Sequence, residues 1–321
     1  MAKVFRGLLL LVFLLCHSAL YAQRNYITMS DGTRIFYNIQ GNGKDTLIYL
    51  HGGPGSNSLS SGPDILRLAR NHVLIIYDQR GCGFSDQGDT SKLTPSTYIK
   101  DLEEIRNFFH LNNVIIFGHS WGCGLATLYT SQYPTHVKRL LLIAPISPTR
   151  KLLTQRFATF AKKDSVGQAR TWQLRAQMDT STNPAAFCNE ITNIALRLYF
   201  YDQSKISEKK GTPCAIPKEA FVKQAVTLRR MLQALGEYDF IPLIEQLKQP
   251  VLIIEGAQTP VPLEELHIWA KALSNGRLLL VEKAGHAYSF TEQPQIFFPA
   301  VERFLKGRWP EKAVDYHNKK H

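Results

Sequence analysis

The sequence lacks the features that mark metalloproteins, nucleic-acid-binding proteins and membrane-spanning proteins. Its five cysteines and ten histidines form no group with the spacing of metal ligands, so no metal is implied. The formal net charge is +12, but no recognisable nucleic-acid-binding motif accompanies it, which favours loose affinity for anionic surfaces over recognition of nucleic acid. The apolar run Leu8 to Leu15 is too short to cross a bilayer comfortably. Internal repeats and low-complexity tracts are also absent.

The N-terminus has the pattern of a secretory signal. Two basic residues precede the apolar run, and small residues follow it, which predicts a signal peptide over residues 1–22 with cleavage after Ala22. Cys16 also admits a lipoprotein, but the large Leu15 before it disfavours that processing. The mature protein is therefore expected to be secreted or periplasmic, without a stable membrane span.

The rest of the chain has the pattern of an α/β domain. Its length and its apolar fraction of 44% are sufficient for one large domain with an insertion. Strand-like apolar runs alternate with helical stretches, which predicts right-handed crossovers and a parallel sheet. The segment Tyr26 to Gln40 predicts instead an antiparallel hairpin that turns at Asp31-Gly32.

A Gly-x-Ser-x-Gly motif is the most informative stretch of the chain. Its sequence is GHSWG, residues 118–122, and it separates an apolar run of strand length from a helical stretch. That context predicts a sharp strand-to-helix turn, in which glycines on either side of Ser120 avoid collisions and the serine hydroxyl is exposed. The motif therefore predicts a hydrolase with Ser120 as the nucleophile.

Two further loops supply the other groups that acyl transfer needs. The sequence HGGPG, residues 51–55, follows an apolar strand, and we expect the backbone N–H groups of Gly53 and Trp121 to form an oxyanion hole. His286 lies in the last strand-to-helix loop, after the serine in chain order, and is the candidate general base. A third loop, DQRGCGFS at residues 78–85, is interpreted as scaffold, with Asp78 and Arg80 paired beneath the site.

The motifs GHSWG, HGGPG and DQRGCGFS resemble those of the proline iminopeptidase branch of the α/β-hydrolases, and the resemblance covers roughly Tyr26 to Phe304. The resemblance implies a mostly parallel eight-stranded sheet with helices on both faces, a helical cap inserted after the sixth strand, and serine catalysis without a cofactor. The expected domains are a core over 23–147 and 241–305, a cap over 148–240, and a basic, solvated C-terminal tail over 306–321.

The cap departs from what the resemblance implies for substrate recognition. The resemblance implies that cap glutamates bind a cationic substrate N-terminus, with a carboxylate just before a Tyr-Phe pair. Here that pair is Tyr199 and Phe200, the candidate substrate-contacting residues, and Leu-Arg-Leu precedes it. Residues 146–220 contain twelve Lys or Arg against six Asp or Glu, which favours esters or anionic acyl compounds over peptides. An aromatic pair on a helix is also typical of a core. Four glutamates remain as substitutes: Glu190, Glu208, Glu219 and Glu237.

The expected acid of the catalytic triad is missing. In this superfamily it commonly stands three residues after a glycine that ends the strand before the histidine, and Thr259 occupies that position. Threonine carries no charge to stabilise an imidazolium. The candidate replacements are Glu255, Glu264 and Glu265, although the last two are typical of helix N-terminal charges. A Ser-His dyad is the alternative.

Three functions remain open from the sequence. The first is an exported serine hydrolase that cleaves ester or amide bonds of a small molecule or short peptide. The second is a true prolyl aminopeptidase with altered amine recognition, and the third is a catalytically weak, ligand-binding member of the fold.

The sequence does not indicate an oligomeric state. It equally admits a disulfide between Cys188 and Cys214 or four unpaired cysteines, with Cys123 packed behind the turn at Ser120.

Overall fold

The computed structural model describes residues 24–178 and 181–317. The predicted signal peptide, its cleavage position and Cys16 lie outside the described residues. The eight strands form one sheet in the order β1-β2-β4-β3-β5-β6-β7-β8. Their bounds are β1 Asn25–Thr28, β2 Arg34–Gln40, β3 Thr46–Leu50, β4 Val73–Tyr77, β5 Val114–His119, β6 Val137–Ile143, β7 Val251–Gly256 and β8 Gly276–Val281.

The sheet is parallel from β4 onward and antiparallel at one edge. Strands β1 and β2 form the predicted hairpin, with Asn25 opposite Tyr37, and β2 pairs antiparallel with β4. All the other pairs are parallel. Because the carboxyl ends of parallel strands meet at one edge, the loops after β3, β5, β7 and β8 are brought together there. The predicted fold class is confirmed.

Helices connect the strands and cover both faces of the sheet. Successive side chains of each strand point to opposite faces of the sheet, so the buried apolar residues form two clusters, one on each face. The α-helices are α1 Gly62–Ile65, α2 Pro95–Phe108, α3 Trp121–Gln132, α4 Arg150–Lys163, α5 Ser165–Met178, α6 Pro184–Tyr199, α7 Lys218–Leu235, α8 Ile241–Gln246, α9 Leu263–Ala272, α10 Ser289–Glu292 and α11 Pro294–Leu305. Helices α2, α3 and α9 cover one face, and α1 and α11 cover the other.

The insertion after β6 consists of helices α4 to α7 and is called the cap below. Its two ends are joined by backbone hydrogen bonds, from Arg150 N to Tyr238 O at 2.9 Å and from Phe240 N to Pro148 O at 2.8 Å. A disulfide joins Cys188 to Cys214 within it, with the two Cα atoms 5.7 Å apart. The insertion therefore returns to the core close to the point where it leaves.

The other two described cysteines are unpaired and buried. The Cys123 thiol donates to the carbonyls of Gly118 and Ile143 behind the turn at Ser120, and burial raises its pKa well above the usual range. Cys82 is likewise buried, which raises its pKa. Both thiols are therefore protonated packing groups.

In the described part of the C-terminal tail, residues 306–317, the basic side chains are exposed, as expected of a solvated segment, but the backbone contacts the sheet. Val314 exchanges two backbone hydrogen bonds with Leu278 of β8, and Tyr316 stacks on His267 with ring centroids 4.9 Å apart. Ala313 is buried. The apolar residues between the basic ones bind the outer edge of the sheet, where β8 has unpaired backbone groups, so the tail is docked while its basic side chains face solvent.

Candidate active site

Ser120 lies in a strained turn between β5 and α3. Its φ of 54° and ψ of −115° place a non-glycine residue in a sparsely populated backbone region. Its N–H donates to Ile143 O at 2.9 Å, and its carbonyl accepts from the N–H of Cys123 and of Ile146. Serine is a preferred N-cap, yet the Ser120 side chain makes no capping bond to α3, so its hydroxyl remains available for chemistry.

The glycines of the motif permit this turn sterically. A Cβ at Gly122 would lie 2.1 Å from Leu50 O of β3, and one at Gly118 would lie 2.7 Å from Gly122 O. Both distances are far below any real contact. Glycine is therefore required sterically at both positions, as the motif predicts.

The loop that contains Gly53 lies against the serine. A Cβ at the neighbouring Gly52 would be 3.2 Å from Ser120 Cβ, so this backbone approaches the serine closely. Trp121 is the first residue of α3, where backbone N–H groups have no partner within the helix. The two predicted oxyanion donors, Gly53 and Trp121, thus belong to segments on either side of Ser120.

Glu255 meets His286 at the carboxyl edge of the sheet. Its Oε2 lies 2.8 Å from His286 Nδ1, and both side chains are buried. Its Oε1 accepts from the N–H of Gly256 at 2.9 Å and of Ala287 at 3.1 Å. Because Nδ1 faces the carboxylate, Nε2 is the ring nitrogen left to accept a proton.

The other three acid candidates lie elsewhere. Thr259 Oγ1 accepts from Val261 N at 3.2 Å, a local turn bond, and makes no described bond to His286. Glu264 is exposed in the first turn of α9. Glu265 is buried against Arg156 of the cap, with Oε2 and Nη2 2.6 Å apart. Of the three carboxylates considered as substitutes for the acid missing at Thr259, Glu255 is the one in contact with His286, which it reaches from within β7.

One sequence signal pointed to Glu255. It is a charged residue near the end of an otherwise apolar strand, Val-Leu-Ile-Ile-Glu-Gly, in which every residue is buried. A carboxylate at such a position is costly unless it has hydrogen-bond partners, so the strand itself indicates a partner at its end.

The DQRGCGFS loop braces the site, but through different pairs from the one predicted. Asp78 accepts from the N–H of Ser58 at 2.7 Å and of Phe84 at 2.8 Å. Arg80 binds Asp101 and Asp31 instead of Asp78. The predicted pair was wrong because Asp78 satisfies backbone donors of two loops, while Arg80 points toward the hairpin and α2.

Sequence reasoning also missed Gln79. Its side-chain oxygen accepts from Trp121 Nε1 at 3.0 Å, and its side-chain nitrogen donates to His51 O at 2.9 Å. Its backbone N–H donates to His51 Nε2 at 3.0 Å, so the other ring nitrogen carries the proton that His51 donates to Gly52 O. Gln79 thereby joins the HGGPG loop to the start of α3.

Two histidines next to the site are held neutral. Burial lowers the pKa of His51, and it lowers the pKa of His119 to about 3, with a further contribution from the nearby His286. At neutral pH neither ring adds a positive charge beneath Ser120.

Tyr199 and Phe200 have different surroundings. The Tyr199 ring lies edge-on to the His286 ring, with centroids 4.9 Å apart. Phe200 is buried and stacks on Tyr288 at 4.8 Å, which is the core placement given above as the alternative to substrate contact. The structure brings only Tyr199 of this pair to the histidine.

The four cap glutamates lie on the surface. Glu190 pairs with Arg170 and Glu208 pairs with Lys205, in both cases through exposed side chains. Glu219 and Glu237 are exposed.

No group of three or more His, Cys, Asp or Glu side chains that would hold a metal occurs in residues 24–178 and 181–317. Within the same ranges no helix is long and apolar enough to cross a membrane.

Comparison with known proteins agrees with this geometry. The family described as alpha/beta hydrolase fold matches residues 45–293. A proline iminopeptidase of Lactobacillus acidophilus is 26% identical over 280 residues, which cover 82% of this chain and 90% of that protein. One of Heyndrickxia coagulans is 38% identical over 122 residues, 37% of this chain and 42% of that protein.

Solved structures show the same fold. The proline iminopeptidase of Mycobacterium smegmatis superposes with a TM-score of 0.65 at 18% identity, over 89% of this chain and 98% of that one. An esterase from Exiguobacterium antarcticum also gives 0.65, at 20% identity, over 88% of this chain and 100% of that one. The resemblance predicted from the three motifs is confirmed.

Proposed function

Because the chain belongs to the α/β-hydrolase fold family, we propose that it is an exported serine hydrolase that cleaves ester or amide bonds through an acyl-enzyme on Ser120. His286 Nε2 removes the Ser120 proton, and the serine oxygen attacks the substrate carbonyl carbon. The N–H groups of Gly53 and Trp121 stabilise the oxyanion. The imidazolium then protonates the leaving group as its bond to the carbonyl carbon breaks, which leaves the acyl group on Ser120. Water, deprotonated by His286, attacks the acyl carbon, and the bond to the Ser120 oxygen breaks as His286 returns the proton to it, which releases the acid.

The contact between His286 Nδ1 and Glu255 Oε2 carries this proposal. It supplies the charge that stabilises the imidazolium and fixes the tautomer that leaves Nε2 basic. Three N–H donors, one of them from the imidazole, hold the carboxylate in place. This contact supports Glu255 as the acid of a triad with Ser120 and His286, in place of the Ser-His dyad considered from the sequence.

Export is supported by two independent features. The predicted signal peptide over residues 1–22 is one of them. The other is the disulfide between Cys188 and Cys214, because disulfides persist in oxidising compartments such as the periplasm and the extracellular space.

The cap favours an uncharged or anionic acyl substrate over a peptide with a free amine. An aminopeptidase needs a carboxylate beside the substrate ammonium, and the four cap glutamates are on the surface. The buried Glu265 is neutralised by Arg156. A prolyl aminopeptidase with altered amine recognition is the second candidate, favoured by the names of the curated relatives.

The test is covalent labelling by a fluorophosphonate probe, compared between the wild type and Ser120→Ala. We expect labelling of the wild type alone. Absence of labelling at neutral pH would instead support a ligand-binding protein. Turnover of a prolyl anilide against short acyl nitrophenyl esters then separates the two enzymatic candidates, and a strong prolyl preference contradicts the argument from the cap.

A further inference from the structure

The candidate base is attached to the cap as well as to the core. On the core side Glu255 binds the imidazole and the N–H of Ala287. On the cap side the N–H of His286 donates to Tyr199 O at 2.7 Å, at the C-terminal end of α6. The histidine loop therefore lies between a strand of the sheet and a helix end of the insertion.

A second carboxylate, Glu292, joins these same two segments. Its Oε2 accepts from Gly285 N at 2.6 Å, directly before the histidine, and its Oε1 accepts from Asp202 N at 2.8 Å, three residues after the end of α6. Glu292 is 3% exposed, and burial of a carboxylate is costly without such donors. Charge-assisted bonds of this length are among the stronger hydrogen bonds in proteins.

The packing leaves no space between the two segments. A Cβ at Gly285 would lie 1.9 Å from Tyr199 O, so the two backbones approach as closely as glycine permits. The rings of Tyr199 and His286 are in edge contact, and Phe200 stacks on Tyr288. A displacement of residues 199–202 therefore cannot leave the histidine loop unchanged.

We propose that Glu292 is a positioning residue for His286, which it holds in place by fastening the histidine loop to residues 199–202 of the cap. It acts through the backbone of Gly285, whereas Glu255 acts on the imidazole itself. His286 is then in its productive position only when the end of α6 is docked against the histidine loop. This inference rests on the proposed function, because it assigns the consequence to proton transfer by His286.

The test compares Glu292→Gln with Glu282→Gln. Glu282 belongs to the same connection after β8 but is exposed and binds only the Gln258 side chain among the described residues. In Glu292→Gln one backbone N–H faces an amide NH₂ instead of an oxygen. We expect kcat for p-nitrophenyl acetate and the rate of fluorophosphonate labelling to fall together by about 10- to 100-fold, with KM nearly unchanged. Glu282→Gln should match the wild type.

A variant that keeps the charge separates positioning from simple destabilisation. Glu292→Asp retains a carboxylate that reaches one of the two donors, so it should recover part of the lost kcat. Thermal unfolding of each variant ensures that rates are compared in the folded state. Rates for Glu292→Gln within about twofold of the wild type would overturn the inference while the proposed function stands.

Hydrogen exchange tests the attachment without any substrate. In Glu292→Gln, peptides that contain Gly285 to Ala287 and peptides that contain Tyr199 to Asp202 should both exchange faster, while those of β5 remain protected. If the wild type were neither labelled nor active, the proposed function would fail and this measurement would still decide the attachment. Faster exchange in one segment alone, or in neither, refutes it.

Discussion

The core and the cap of this protein are built differently. Strands β5 and β7 are buried along their whole length, and they carry Ser120 and Glu255 at or near their carboxyl ends. Helix α5 of the cap buries only Leu174 among its described residues, and Trp172 on it is 68% exposed. Close packing leaves the core little freedom to change, whereas a thinly packed insertion tolerates substitution. The difference is consistent with Ser120 and His286 matching the family motifs, while the cap glutamates that the resemblance implies are not found beside the site.

The cap is nevertheless tied to the core at a few strong points. These are the backbone bonds at its base, the buried pair of Arg156 and Glu265, and the contact of residues 199–202 with the histidine loop. The disulfide between Cys188 and Cys214 is internal to the insertion. Substitutions at these points are therefore expected to change stability or activity more than substitutions on the cap surface.

The largest effect is expected at the core carboxylate. Glu255→Gln keeps the shape but removes the charge, and its NH₂ group faces one of three N–H donors. Replacing the acid of a serine-protease triad by its amide costs about 10⁴ in kcat, or about 5.5 kcal/mol of barrier. We expect a loss of that order for p-nitrophenyl acetate, measured by stopped-flow or steady-state assay.

Thr259→Asp is the matched variant, because it restores the family's acid at the position where the sequence lacks it. Its rate should equal or fall below that of the wild type, since Glu255 already binds His286 Nδ1. A higher rate for Thr259→Asp, or a kcat of Glu255→Gln within about tenfold of the wild type, would contradict the assignment of the acid.

The next largest effect is expected where the cap and core share a buried ion pair. Glu265→Gln leaves the Arg156 guanidinium, whose side chain is 6% exposed, without its carboxylate. Removal of one partner from such a pair typically costs about 3–5 kcal/mol of folding free energy. Urea unfolding measures this loss, with Glu264→Gln as control because it removes an exposed charge from the same helix turn. Equal losses in both variants would show that the pair does not bind the cap to the core.

A smaller and more local effect is expected from the disulfide. Cys188 and Cys214 are 26 residues apart, and a loop of that size gives about 3 kcal/mol of stabilisation. In Cys188→Ser with Cys214→Ser, α6 peptides should exchange hydrogen faster, while β5 peptides are unaffected. Cys82→Ala controls for loss of a thiol from the core. Faster exchange throughout the sheet would mean that the cap and core unfold together.

Local patterns predicted most of the fold, and distant partners account for what they missed. Strand length, the glycines around Ser120 and the hairpin turn are properties of neighbouring residues, so the sequence indicated them correctly. Glu255 binds a histidine that is 31 residues away in the sequence, and Arg80 forms ion pairs with Asp31 and Asp101 and not with Asp78, which is nearer in the sequence. Such choices depend on which side chains the sheet brings together. The docking of the C-terminal tail and the disulfide also depend on contacts between residues that are distant in the sequence.

The smallest effect is expected on the cap surface, at Glu190. This carboxylate and Arg170 are each 46% exposed, and exposed pairs contribute little because water and salt screen them. Glu190→Gln should leave KM and kcat unchanged for both a prolyl anilide and p-nitrophenyl acetate. A rise in KM for the prolyl anilide alone would instead make Glu190 an amine-binding residue and bring the cap surface into the site. Without that rise, Glu190 is not an amine-binding residue, and the described contact between the cap and the histidine loop is that of residues 199–202.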